Sequence, residues 1–176
     1  MSGAGKGIVV AAAVSLFFIW GNTASASEGW QALHSRECGF AIEFPGKAAI
    51  SKHKLKSGGM LWKYALVDRD TKIVYQVRCQ DLGPRGAEAG FSDRALQKIH
   101  KNLVSKGNKI LAKRKFSMGN APGEEWSLVS SKGILLKLRM FFLKKQFYQV
   151  LIGYKKNQEN NPDIMRHLNS FRFTPR

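Results

Sequence analysis

The sequence predicts an α+β domain: a largely antiparallel β-sheet of about seven strands covered by two helices. Three observations carry this. Short stretches rich in β-branched and aromatic residues recur along the chain, apolar residues at helical spacing with capping signals occur twice, and the two patterns follow one another as strands, helix, strands, helix.

Taken in order, Cys38, Phe40, Ile42 and Phe44 alternate with Gly39, Ala41 and Glu43, and Pro45-Gly46 stops this first strand in a turn. Met60 to Val67 and Ile73 to Cys79 read as a hairpin around Asp68-Arg69-Asp70, and with the first strand they are expected to form one sheet segment. A helix follows, with Ser92 as N-cap, Asp93 in the first turn where the helix dipole favours an anion, and Gly107 just past the end. Its apolar face is Leu96, Ile99, Leu103 and Val104. Four further strands are expected at Lys109 to Phe116, Glu124 to Ser130, Ile134 to Leu143 and Phe147 to Tyr154. Asn161 and Pro162 then cap and open a C-terminal helix that turns Ile164, Leu168 and Phe171 to one side.

Ahead of this domain, Met1 to Ala26 read as a secretory signal peptide, leaving residues 27–176 as a single domain. Lys6 supplies the positive end, and Ile8 to Trp20 form an uncharged run. As a helix that run would cover roughly 20 Å, short of the ~30 Å core of a bilayer. Ala24-Ser25-Ala26 offers the small residues of a cleavage site; the alternative is an uncleaved anchor held by the same run. Export to the periplasm or outside the cell makes Cys38 and Cys79 an expected disulfide, worth roughly 4 kcal/mol through unfolded-state entropy. Two separate buried thiols are the alternative.

With 44% hydrophobic and 23% charged residues, the 176-residue chain has too much apolar material for a disordered polycation. Its 29 Lys and Arg against 12 Asp and Glu nevertheless give a formal net charge of +17. The excess is local: residues 94–156 hold 15 basic residues and only two acidic ones, Glu124 and Glu125. Lys98, Lys101 and Lys106 form a stripe on the first helix, while Lys113, Lys115, Lys137 and Arg139 take alternating strand positions and Lys144 and Lys145 share a turn. These nine residues are the expected anion-binding patch.

The segment Cys38-Gly39-Phe40-Ala41-Ile42-Glu43-Phe44-Pro45-Gly46-Lys47 resembles the opening strand of the PsbP-like superfamily. That group includes PsbP, Ran-binding nuclear-import factors and bacterial envelope proteins such as DcrB. Phe147 to Ile152 and His167 to Phe173 are similar to the strand and helix at the family's other end. The resemblance implies the same fold over nearly all of residues 27–176. Its motifs are core and turn residues, so it implies no particular activity, cofactor or site residue.

No catalytic or metal-binding signature accompanies this pattern. The histidines His34, His53, His100 and His167 form no ligand-spaced pair, Cys38, Cys79 and His34 make at best an incomplete zinc set, and no nucleophile elbow occurs. Glu124 and Glu125 are adjacent on a strand and so point to opposite faces, reading as a solvated strand end rather than a paired-carboxylate site. Phe141, Phe142, Tyr148 and Tyr154 lie among lysines in a way that suits nucleic-acid stacking, but the same spacing suits a sheet covered on both faces, and export removes nucleic acid from reach. The expectation is a non-enzymatic exported protein, without cofactor or metal. Its basic face would meet an anionic envelope component or an acidic protein, with peripheral membrane contact among the options. The alternative is a small-ligand binder or hydrolase assembled from dispersed groups such as His34, His100 and Glu125.

Overall fold

The structure, a computed structural model, describes residues 29–55, 59–82 and 93–175. The expected signal segment at 1–26 and the expected cap at Ser92 lie outside them. Among the described residues, seven strands form one antiparallel sheet, ordered β3 (Ala49–Lys54), β4 (Met60–Val67), β5 (Val74–Asp81), β9 (Gln146–Tyr154), β8 (Leu135–Leu143), β7 (Ala121–Val129) and β6 (Lys109–Met118). Three shorter strands, β1 (Gln31–Ser35), β2 (Phe40–Phe44) and β10 (Arg172–Phe173), form a second antiparallel sheet with β2 at its centre. The α-helices are α1 (Asp93–Ser105) and α2 (Pro162–Ser170). The α+β class and the seven-stranded sheet agree with the sequence reading.

Both faces of the large sheet are buried along its central strands, which divides the core in two. On one face, Tyr64, Tyr75, Val77, Phe141, Tyr148 and Val150 pack against Phe40, Ile42 and Phe44 of β2 and Ile164, Leu168 and Phe171 at α2. On the other, Leu96, Ile99 and Leu103 of α1 cover Trp126, Leu138, Met140, Phe147 and Leu151. Each large apolar side chain fully withdrawn from water stabilises the fold by roughly 1.5–3 kcal/mol. Strands sandwiched this way read as near-continuous apolar runs, and every residue of β9 is buried.

Two expectations need correction. The strand ending in Phe44 does not join Met60 to Val67; it is β2, in the small sheet, and the seventh place in the large sheet is taken by β3. β3 is almost wholly exposed, so no apolar alternation marks it. Val104 is not on the buried face of α1 but is 47% exposed.

Cys38 and Cys79 are completely buried in the same apolar cluster, near one another but not at disulfide distance, so the expected bond is not shown. Other bonds fix the Cys38 turn: its amide donates to Ser35 Oγ at 3.2 Å, Gly39 N donates to Ser35 O at 2.8 Å, and the Tyr148 hydroxyl donates to Cys38 O at 2.6 Å. The Cys79 side chain is set independently by the register of β5 between Trp62 and Tyr148.

The ends of both helices are secured locally. At α1, Gly107 adopts φ 77°, which a residue with a Cβ rarely tolerates, and Asn108 Nδ2 donates to Leu103 O at 2.8 Å. At α2, Asn161 Oδ1 accepts from Asp163 N at 2.9 Å, with Pro162 in the first helical position as expected.

Candidate anion-binding face

The antiparallel register decides which basic side chains share a surface. Lys113 and Lys115 lie opposite Trp126 and Glu124, so they point to the side of the sheet that α1 covers. Both are exposed on β6, the outermost strand, and Lys98, Lys101 and Lys106 are exposed on α1. A ring contact joins the two elements: Lys113 Nζ sits 4.2 Å from the centroid of the Trp126 ring, which meets His100 of α1 edge-on at 6.2 Å. The indole face attracts the ammonium group and keeps it at the junction. Trp126 is the anchor that sequence reasoning missed, since in alternation with Leu128 it reads as core alone.

Both acidic residues of this stretch are bonded, Glu124 half-buried on the Lys115 side of the sheet and Glu125 buried on the other. Glu124 Oε2 accepts from Trp126 Nε1 at 2.5 Å, while Glu125 points to the opposite face. There Glu125 is buried and bonded to Arg139 Nε at 2.6 Å and Arg114 Nε at 2.9 Å. Burial alone would raise the Glu125 pKa, but the two guanidinium groups outweigh it and hold the carboxyl below its ordinary range. The expected solvated strand end is thus overturned at Glu125, which is an internal anchor. Among the described residues, Lys101, Lys106, Lys113 and Lys115 have no carboxylate within ion-pair distance.

The other four residues of the expected patch do not join this face. Arg139 is 3% exposed, and its remaining nitrogens donate to Leu168 O at 2.7 Å and Asn169 Oδ1 at 3.1 Å. It is a fastening for α2 rather than a surface cation. Lys137 shares the Arg139 side of β8 and is half-buried. Lys144 and Lys145 are exposed in the β8–β9 turn and border a cleft of about 280 Å³ with Cys38, Gly39, Gln146 and Tyr148, on the side of the sheet away from α1. Lys145 also faces Asp81 at 3.8 Å.

The dispersed groups of the alternative reading are not brought together. His34 is exposed on β1, His100 lies beside Trp126 on the other side of the large sheet, and Glu125 is occupied by its arginines. No set of three or more His, Cys, Asp or Glu among the described residues is placed to hold a metal ion. No described helix is long and apolar enough to cross a membrane.

No family model and no curated protein matches the chain by sequence. By structure it is similar to cyanobacterial PsbP from Synechocystis sp. PCC 6803, with a TM-score of 0.53 over 88% of this chain and 98% of that one, at 8% identity. A Pseudomonas aeruginosa protein of unknown function aligns over 85% of this chain and 99% of its own at 10% identity, but its TM-score of 0.40 carries no argument. The PsbP likeness shows a PsbP-like fold, in agreement with the resemblance in the sequence.

Proposed function

We propose that this PsbP-like chain is a non-enzymatic binding or accessory module, exported to the periplasm or beyond, that holds an anionic partner against the face made by α1 and β6. The observation that carries the reading is the imbalance at this face: Lys98, Lys101, Lys106, Lys113 and Lys115 are exposed, while Glu124 is bonded to Trp126 and Glu125 to arginines on the opposite side. Such a surface raises the local concentration of a polyanion and speeds encounter, with a strong dependence on ionic strength. Phospholipid head groups, envelope glycans and acidic proteins all meet that requirement.

The test is sedimentation of the purified protein with phosphatidylglycerol or phosphatidylcholine vesicles, alongside an anionic glycan, over a salt series. Binding to an anionic target should fall steeply as the Debye length shrinks from about 10 Å at 0.1 M toward 3 Å at 1 M. It should also be lost when Lys98, Lys101, Lys113 and Lys115 are changed to Glu. Binding that survives ~1 M salt or the four reversals would remove the electrostatic mechanism.

A further inference from the structure

β6 closes one edge of the large sheet, and among the described residues no strand, turn or loop bonds to its backbone on the side away from β7. An edge of this kind presents a row of outward N–H and C=O groups, which is a template for a further strand. β6 is 10 residues long, against 6 for β3 at the opposite edge. Beyond the irregularity between Ile110 and Ala112, its residues Ala112 to Met118 pair with Ser127 to Ala121 without a break, so the ladder is regular along this stretch.

The two sides of this edge differ. On the α1 side stand Lys113 and Lys115, both exposed. On the other, Arg114 is bonded to Glu125, and Phe116 and Met118 are half-buried at the margin of the core, with the Phe116 ring 5.5 Å from that of Phe141 between centroids. A strand laid along β6 would turn its alternate side chains to these two sides in succession. Carboxylates on one side would meet the lysines across the pairing, and apolar residues on the other would extend the cover of Phe116 and Met118. A second copy of β6 in this place would bring another run of lysines to the same edge, where like charges repel. A lipid surface or a glycan has no peptide backbone to complete the ladder.

We propose that the outer edge of β6 takes an extended acidic segment of a partner protein as an additional strand of the sheet, with carboxylates at alternate positions facing Lys113 and Lys115 and apolar side chains between them facing Phe116. This rests on the reading of the α1 and β6 face as the place of an anionic partner, and it names that partner's chemistry and its mode of contact. Main-chain hydrogen bonds supply affinity, and the alternation of charge and apolar surface supplies selection.

Fluorescence anisotropy of the purified protein with a labelled peptide of about eight residues, alternating Glu and Val and blocked at both ends, tests the proposal. Two companion peptides keep the same side chains but carry N-methyl groups on every Glu or on every Val, which removes the amide donors of one peptide edge at a time. The parent peptide should bind with a Kd at or below about 100 μM, and one methylated peptide, but not the other, should bind about tenfold more weakly or worse. Lys113→Glu with Lys115→Glu should weaken the parent peptide by about tenfold or more, and by more than Lys98→Glu with Lys101→Glu. Equal binding by the two methylated peptides would show attraction by charge alone and overturn strand addition, leaving the proposed function in place. Binding of phosphatidylglycerol vesicles without binding of the parent peptide would do the same, and if neither binds the proposed function falls with it. Self-association in sedimentation velocity that excludes the peptide would give the edge to a second copy and also overturn the proposal.

Discussion

Arg139 and Glu125 are bonded Nε to Oε2 at 2.6 Å with side chains only 4% and 8% exposed, and through Arg139 the pair reaches the Leu168 carbonyl in the last turn of α2. The arrangement joins β7, β8 and the C-terminal end of α2, where a cation also complements the helix dipole. Removing one partner leaves the other charge buried with fewer contacts, which typically costs about 3–5 kcal/mol. Arg139→Met should therefore lower stability in urea by that order, and Arg139→Met combined with Glu125→Leu should recover part of the loss. A single variant within ~1 kcal/mol of the parent would show the pair to be dispensable.

Acid should destabilise the fold in two stages. His167 is fully buried between Phe44 and Tyr75, its Nδ1–H donates to Glu43 O at 2.7 Å, and burial pushes its pKa down to about 4 despite that bond. The folded state therefore prefers the neutral ring. Its contribution is present above pH 6.5 and is lost as pH falls toward 4, by roughly 3 kcal/mol in all. Glu125, whose pKa is depressed, adds a further loss that begins only below its unfolded value of 4.5. Urea midpoints measured from pH 7 to 3 should show both steps, and His167→Asn should abolish the first alone. A flat profile between pH 6.5 and 4 would contradict the buried neutral histidine.

Gly123 has no room for a side chain. A Cβ there would lie 2.4 Å from Met140 O and 2.8 Å from the Phe141 ring, both held by strand pairing. Gly123→Ala should cost about 1–3 kcal/mol as β7 and β8 are forced apart. An exposed control, Gly29→Ala, meets nothing within 4 Å and should have little effect on the melting temperature. Equal melting temperatures for both variants would refute the close approach.

The two cysteines offer a direct chemical readout. Because Cys38 and Cys79 are fully buried, neither should react with an alkylating reagent in the native protein, and alkylation in guanidinium with and without a reductant decides whether they are paired. If alkylation in denaturant requires prior reduction after expression in an oxidising compartment, the Cys38 turn has moved far enough to close the bond.

The apolar strands were legible in the sequence because burial on both faces leaves few alternatives to β-branched and aromatic residues, as in Phe147 to Tyr154. The Asn161-Pro162 start of α2 was legible because its capping is local. Edge and bridging strands were not: β3 is exposed, and β10 is two residues long and exists only through its pairing with β2. The basic patch was misread where cations sit inside strands covered on both sides. Arg139 lies between Leu138 and Met140, and when both faces are buried even the alternate position is interior. Only the three-dimensional placement of Glu125 and Leu168 shows what that charge is for. The cations of α1 and β6, on a helix surface and an outer strand, remained where the sequence put them.

β2 is complete only when Arg172 and Phe173 pair with Ala41 and Phe40, and Phe171 stacks on Phe40 at 5.4 Å between ring centroids. The hairpin of β1 and β2 is synthesised long before β10. The layer over the Tyr64–Tyr148 face therefore cannot close until Phe173 has been made, and its contacts span most of the described residues. Loss of Phe171 to Phe173 would leave β2 paired with β1 alone and uncover the Phe40 ring, so its effect should reach the core.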